Sequence, residues 1–214
     1  MLKLQAMERR PYRQTRRAEA TEATRQRIVQ AALDQLLSGD AFTIEAVAAR
    51  AGVSRVTIYA QFGDRDSLRE AVFDHLGQVG GLAEIPSAFA QADLLEAIGR
   101  IIAIFCGFYA THRTVLWRLN ALAALSTGDG DRLPDRNARR RQILTALLSR
   151  AARDDAYAGI DAETTAGILQ ALTSFEFYDQ LAAGVPATDP TEVVRALASA
   201  LLRMPRDGHP GEDR

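Results

Sequence analysis

The sequence predicts an all-α protein: an N-terminal three-helix helix-turn-helix domain followed by a C-terminal helical bundle. Two observations carry this. The stretch Phe42 to Leu76 reads as two short helices around a glycine-containing turn, followed at once by a third helix. Beyond His75 the chain continues in helix-length segments. The first of them is apolar on more than one face, as a helix buried in a bundle must be. The 214 residues suit one small domain plus one larger one, and an apolar fraction of 47% is ample for a core.

Within FTIEAVAARAGVSRVTIYAQFGDRDSLREAVFDHL each segment agrees with the next. Thr43 can cap the first helix, and Glu45 suits the positive end of its dipole. Val47 and the small Ala48 face the partner helix. Gly52 can take a positive φ without a Cβ clash, and Val53 plugs the turn into the core. Ser54 caps the second helix, whose first turn is Arg55, Val56 and Thr57. Ile58 and Phe62 fall four apart on its inner face. Gly63 ends it, Asp64 caps a third, and Leu68, Val72 and Leu76 give that helix an apolar seam.

The outward residues of the second helix are those that can touch double-stranded DNA, because a recognition helix offers its N-terminal residues to base edges in the major groove. Arg55 could reach a guanine or a phosphate, Val56 only a thymine methyl, and Thr57 either a base or a phosphate. The Tyr59 hydroxyl suits a phosphate. Thr43 and Arg65 stand at helix starts, where backbone N–H groups also favour phosphate. A purely structural or protein-binding helix-turn-helix is the competing reading.

These residues resemble the DNA-binding domain of the TetR family of transcriptional regulators. The resemblance lies in IEAVAARAGVSRVTIYAQFGDRDSL, Ile44 to Leu68, preceded by the helix TRQRIVQAALDQLL, Thr24 to Leu37. It covers roughly residues 24 to 76; the remainder is similar only in length and helical pattern. It implies that Thr43, Ser54, Arg55, Thr57, Tyr59 and Arg65 lie at DNA-contacting positions. The chain departs from the family where Val56 replaces a frequent glycine, Ala60 a frequent histidine and Gly63 a frequent proline. A phosphate contact by that histidine is unavailable, and base preference cannot be borrowed from a relative.

Charge is asymmetric behind a net value of −1. Up to Asp66 the chain carries 11 Lys and Arg against 8 Asp and Glu, and the remainder 15 against 19. Residues 1–23 hold Lys3, Arg9, Arg10, Arg13, Arg16 and Arg17, with Pro11 and almost no apolar periodicity. They read as a basic disordered arm, either adding phosphate or minor-groove contacts or serving as a solvated tail. They lack the apolar run of a secretory signal. The single cysteine, Cys106, allows no disulfide within one chain and suits a cytoplasmic location. His75, His112 and His209 show no ligand spacing, so no metal or cofactor is expected. No uninterrupted apolar run reaches the ~18 residues of a membrane span. There is no nucleophile–base pair at recognisable spacing and no phosphate-cradling glycine loop, which argues against an enzyme.

Residues 24–76 form the expected DNA-binding domain, 77–204 the bundle, and 205–214 a disordered tail. Leu76 to Asp93, with glycines and Pro86, reads as a linker. Helices are expected over Leu94–Ala110, Thr114–Leu125, Asn137–Arg153, Asp161–Ala183 and from Asp189 and Pro190 to Met204. The loop Ser126–Asp135 separates the second and third. Arg139, Arg140 and Arg141 read as a solvated face.

The resemblance implies a small-molecule effector site in the bundle. Phe105, Phe108, Tyr109, Trp117, Asn120, Phe175 and Tyr178 are its candidate lining, with Glu176 and Asp179 as further polar candidates. The plainer reading of these aromatics is core. The last two helices carry more apolar side chains than one shell needs. Leu169, Leu172, Phe175 and Leu181 stand on one, and Val193, Val194, Leu197, Leu201 and Leu202 on the other. This points to a homodimer through a four-helix interface. Two recognition helices about 34–36 Å apart would then read an inverted repeat. The expected function is that of a homodimeric repressor released by a ligand; an activator or a ligand-blind architectural DNA binder is the alternative.

Overall fold

The computed structural model of the chain describes residues 2–124, 133–153, 161–185 and 187–204. Every regular element among them is helical. The chain divides into two compact units, Met1–His75 and Leu76–Arg214.

The first unit contains α1 (Leu2–Ser38), α2 (Ile44–Ala51), α3 (Arg55–Phe62) and the greater part of α4 (Arg65–Val79). Its core is built from Ile28, Ala32 and Leu36 of α1, Val47 and Ala48 of α2, Ile58 of α3, and Leu68 and Val72 of α4, all buried. Residues 1–23, expected as a disordered arm, are instead helical from Leu2 onward, as the first half of α1. Residues 16–23 are exposed throughout, so no packing holds that part of the helix. Its causes are local. The stretch is rich in Arg, Glu, Gln and Ala, which lose little freedom in a helix. The hydroxyls of Thr21 and Thr24 also donate to the carbonyls of Arg17 and Ala20, both at 2.8 Å.

The second unit is organised around α5 (Leu94–Ala124). This helix packs against a 3-10 segment (Leu82–Ala90), α6 (Leu133–Arg153), α8 (Phe175–Gly184) and α9 (Pro190–Leu202). Between α6 and α8 comes α7 (Ala162–Leu172), which packs on α6 and α9. By length and composition α5 could cross a bilayer, but 56% of its most apolar stretch is buried inside the fold. That is the pattern of a core helix.

Four expectations are corrected here. The two helices foreseen over Leu94–Leu125 are one, because Thr111, His112 and Arg113 include no helix breaker. The supposed linker continues α4 to Val79 and then turns into the 3-10 segment. That segment is fixed by side chains from neighbouring helices. Arg100 pairs with Glu84 and donates to Ser87 Oγ at 3.1 Å, and Arg150 donates to the carbonyls of Phe89 and Gln91 at 2.5 and 2.8 Å. The long helix from Asp161 is broken into α7 and α8, and α6 begins already at Leu133. Residues 126–132 of the expected loop, Pro186 and the 205–214 tail lie outside the described residues.

The break between α7 and α8 has a local origin. Thr173 Oγ1 donates back to the Leu169 carbonyl at 2.7 Å, and Ser174 takes an extended ψ of 155° and caps α8 by accepting from Phe177 N at 3.1 Å. Short hydroxyl side chains thus replace the backbone partner that a continuous helix would supply. The Thr173 carbonyl loses Phe177 N as its helical partner and becomes available to another element.

Gly80, just past α4, shows how closely the second unit is packed. A Cβ there would lie 2.6 Å from His112 Nε2, 2.7 Å from the Leu76 carbonyl oxygen and 2.7 Å from the Phe108 ring. Two of these neighbours are a buried ring and backbone, which cannot yield cheaply. Gly80→Ala is expected to destabilise the fold by about 1–3 kcal/mol, measured as a lowered melting temperature and denaturant midpoint.

Candidate functional site

The helix-turn-helix is set by two side-chain caps and one left-handed residue. Thr43 Oγ1 accepts from Ala46 N at 3.1 Å and starts α2. Gly52 ends it with φ 66° and ψ 36°, a conformation that costs a glycine little. Ser54 Oγ accepts from Thr57 N at 3.1 Å and starts α3. Ile58 and Phe62 of α3 turn inward and are buried. Val53 is only half-buried, so it seals the turn less fully than expected.

The opposite face of α3 is free of packing. Val56 is 77% exposed and Tyr59 50%. Thr43, Ser54, Arg55 and Arg65 are exposed as well. Thr57 is half-buried, and its hydroxyl lies 2.9 Å from that of Ser54, engaged in the cap. Arg55 does not extend freely from α3: its Nη1 donates to Glu45 Oε1 of α2 at 2.6 Å. The Arg65 guanidinium lies 5.6 Å from the Phe42 ring centroid, held at the start of α4 by a cation–π contact. Arg25 of α1 supports α3 from behind, 4.3 Å from the Phe62 ring and donating to the Gln61 carbonyl at 3.1 Å. The structure therefore brings six of the seven candidate DNA-contacting residues to the surface and leaves Thr57 partly engaged.

In the second unit an aromatic cluster centres on Tyr109. Its ring lies 6.1 Å from Phe105, 5.8 Å from Phe108, 5.6 Å from Phe175 and 5.7 Å from Tyr178. The Tyr109 hydroxyl donates to the Thr173 carbonyl at 3.0 Å, using the acceptor that the α7–α8 break makes available. It accepts from Arg140 Nη1 of α6 at 3.2 Å. Burial pushes the Tyr109 hydroxyl up to about 12 and outweighs the nearby Arg140 charge, which pulls the other way. Burial likewise raises Tyr178, and it raises the Cys106 thiol to about 11, so Cys106 is an inert core residue.

Two of the seven ligand-lining candidates stand apart from this cluster. Trp117 is 60% exposed, on the outer face of α5, and does not join the bundle's aromatic interior. Asn120 is half-buried and donates to Glu176 Oε1 at 3.1 Å, an α5–α8 link beside the Arg113–Asp179 ion pair at 2.6 Å. The other five are buried ring-against-ring. A groove of about 660 Å³ lies elsewhere, between α6 and α7, lined by Ala138, Arg141, Gln142, Thr145, Ala146, Ala162 and Glu163. It shares no residue with the expected lining.

Residues 28–72 match the family model of bacterial regulatory proteins of the tetR family. The helix-turn-helix segment is thus similar to the DNA-binding domain of the TetR family of transcriptional regulators. Solved structures similar to the chain agree in fold. A TetR transcription regulator from Haloarcula marismortui is 18% identical with a TM-score of 0.66, over 85% of this chain and 97% of that one. NalD of Pseudomonas aeruginosa, described as the secondary repressor of the MexAB-OprM multidrug efflux pump, is 20% identical with a TM-score of 0.62, over 86% and 98%. PfmR of Thermus thermophilus is 17% identical with a TM-score of 0.61, over 83% and 97%. No curated protein sequence matches the chain.

Much of the apolar surface expected at a dimer belongs to the chain's own core. Leu169, Phe175, Val194, Leu201 and Leu202 are buried within the single chain, because α7, α8 and α9 pack among themselves and α8 and α9 also pack on α5. Ile168 and Leu197 stay exposed at 38% and 43%. Arg140, read as part of a solvated face, turns inward: its guanidinium lies 5.9 Å from the Phe105 ring, and its Nη2 donates to Asn137 Oδ1 at 2.9 Å. Its buried Nε has no hydrogen-bond partner among the described residues. Three consecutive arginines carry no signal of which one faces the interior; only the helix packing decides it.

Tyr109→Phe removes the donor to the Thr173 carbonyl and the acceptor for Arg140. The expected loss is about 1–3 kcal/mol in thermal or denaturant unfolding. The folded chain holds the Tyr109 proton to about pH 12, while the unfolded chain releases it near 10.0. The resulting stability is present below pH 10 and is lost as pH rises toward 12. The Phe variant is expected to show a shallower alkaline loss than the parent.

Proposed function

We propose that this regulator is a sequence-specific DNA-binding homodimer that acts as a repressor and is released from its operator by a small molecule. The single observation that carries the DNA-reading part is the outer face of α3. Val56 is 77% exposed, Tyr59 is 50% exposed and Arg55 opens the helix, while the inner face is sealed by Ile58 and Phe62. A large apolar side chain left in water on a short capped helix, flanked by a hydroxyl and a guanidinium, suits a major groove. Val56 would meet a thymine methyl, Arg55 a guanine edge, and Tyr59, Thr43, Ser54 and Arg65 phosphates. Thr57 would need to give up its bond to Ser54 to contribute its hydroxyl.

Support for the remaining parts is more general. Ile168 and Leu197, left exposed on α7 and α9, suit a symmetric helical interface. The repressor role follows the description of NalD. The Tyr109 cluster with Arg140 supplies an apolar site with one cationic handle, and a ligand there would have to displace rings that now touch. It could release DNA only by binding the released state more tightly. A cytoplasmic location follows from the DNA partner.

Selection of bound duplexes from a random pool, at a stated salt concentration, tests the reading. The expected result is an inverted repeat with half-site centres near one helical turn, about 34–36 Å, or a multiple of it. Arg55→Ala is expected to weaken binding to the selected site by roughly 5- to 100-fold and to relax one base position per half-site. Recovery of no common sequence, with binding that vanishes as salt rises, would favour a non-specific binder.

A further inference from the structure

Glu45 is the one acidic side chain in α2 and α3 together. It sits in the first turn of α2, and its carboxylate meets Arg55 Nη1 at 2.6 Å across the turn, ten residues away in the chain. Both side chains stay open to solvent, at 63% for Arg55 and 62% for Glu45. Their mutual hydrogen bond lowers the pKa of the Glu45 carboxyl and raises that of the Arg55 guanidinium, so both are charged at neutral pH. An ion pair this exposed adds little to folding. On a face that would meet phosphate, the carboxylate opposes binding in general. Its usefulness must therefore lie in what it does to Arg55.

An arginine at the start of a recognition helix has two destinations. A guanine edge takes two of its donors and carries sequence information; a phosphate takes them equally well and carries none. A freely rotating guanidinium finds phosphate on every sequence. One anchored through Nη1 to a carboxylate on the neighbouring helix is restricted in direction, with its remaining donors turned outward. We propose that Glu45 is a specificity-determining positioning residue: it holds the Arg55 guanidinium in line for a guanine edge and keeps it from neutralising phosphate. The inference rests on the reading of α3 as the DNA-facing helix. The plainer role, an acidic residue complementing the α2 dipole, would leave base preference untouched.

The test repeats the duplex selection with Glu45→Gln, Arg55→Ala and the double variant of the full chain, alongside the parent. Both residues lie at the surface, and melting curves check that each variant is folded. The parent is expected to prefer guanine at one position per half-site. Glu45→Gln is expected to lose that preference by roughly ten-fold. It should also bind random duplex more tightly, with a salt slope steeper by about one charge per half-site. The double variant should match Arg55→Ala at that position. Unchanged base preference in Glu45→Gln would overturn the proposal. So would a change equally large in the Arg55→Ala background. A parent that selects an inverted repeat while Glu45→Gln behaves identically removes this inference alone; a parent that selects nothing removes the DNA-reading assignment, and this inference with it.

Discussion

The left-handed turn at Gly52, held between two side-chain caps, is the constraint from which the DNA-binding unit follows. Thr43 fixes where α2 begins, Gly52 lets the chain reverse without a Cβ clash, and Ser54 fixes where α3 begins. With both starts pinned, the rotation of α3 about its own axis is determined by Ile58 and Phe62, which must be buried. Val56 and Tyr59 are left outside as the geometric remainder. An eight-residue helix is too short to be stable alone. Its persistence depends on this capping and on Arg25, which braces its last turn through the Phe62 ring and the Gln61 carbonyl.

The bundle obeys a different constraint, the burial of a 31-residue helix. With Ile98, Ile101, Ile102 and Phe108 all nearly inaccessible, α5 must be covered on several sides. The 3-10 segment, α6, α8 and α9 supply that cover. Polar groups inside it are accommodated one by one. The Thr173 carbonyl, released by the break before α8, takes the Tyr109 hydroxyl, and that hydroxyl takes Arg140. One local sequence choice, Thr173 followed by Ser174, thus determines both a helix boundary and the partner of the buried Tyr109.

Legibility in the sequence divides along the same line. Thr43, Gly52, Ser54, Ile58 and Phe62 could be assigned because caps, a positive-φ glycine and a four-residue spacing are local chemistry, and the structure places each in that role. The resemblance to the TetR family, which the match over residues 28–72 repeats, and the all-helical class followed from them. Residues 16–23 lack apolar periodicity and yet are helical, because exposed helix formers need no buried face. Trp117 was placed in the bundle by its size alone, yet nothing in its spacing says which side of α5 it occupies. Arg140 and Glu45 were missed for a tertiary reason. Their partners are 31 and ten residues away, and only packing brings those side chains within hydrogen-bond distance.

The most direct measurement of the central claim, that the outer face of α3 reads DNA, is an NMR titration of the full chain with a selected duplex, following the Val56 methyls and the Tyr59 ring. The expected result is that these resonances shift first and furthest, with Ile58, on the buried face of the same helix, shifting far less. Shifts concentrated in α5 to α9, with Val56 and Tyr59 unmoved at saturation, would contradict the account.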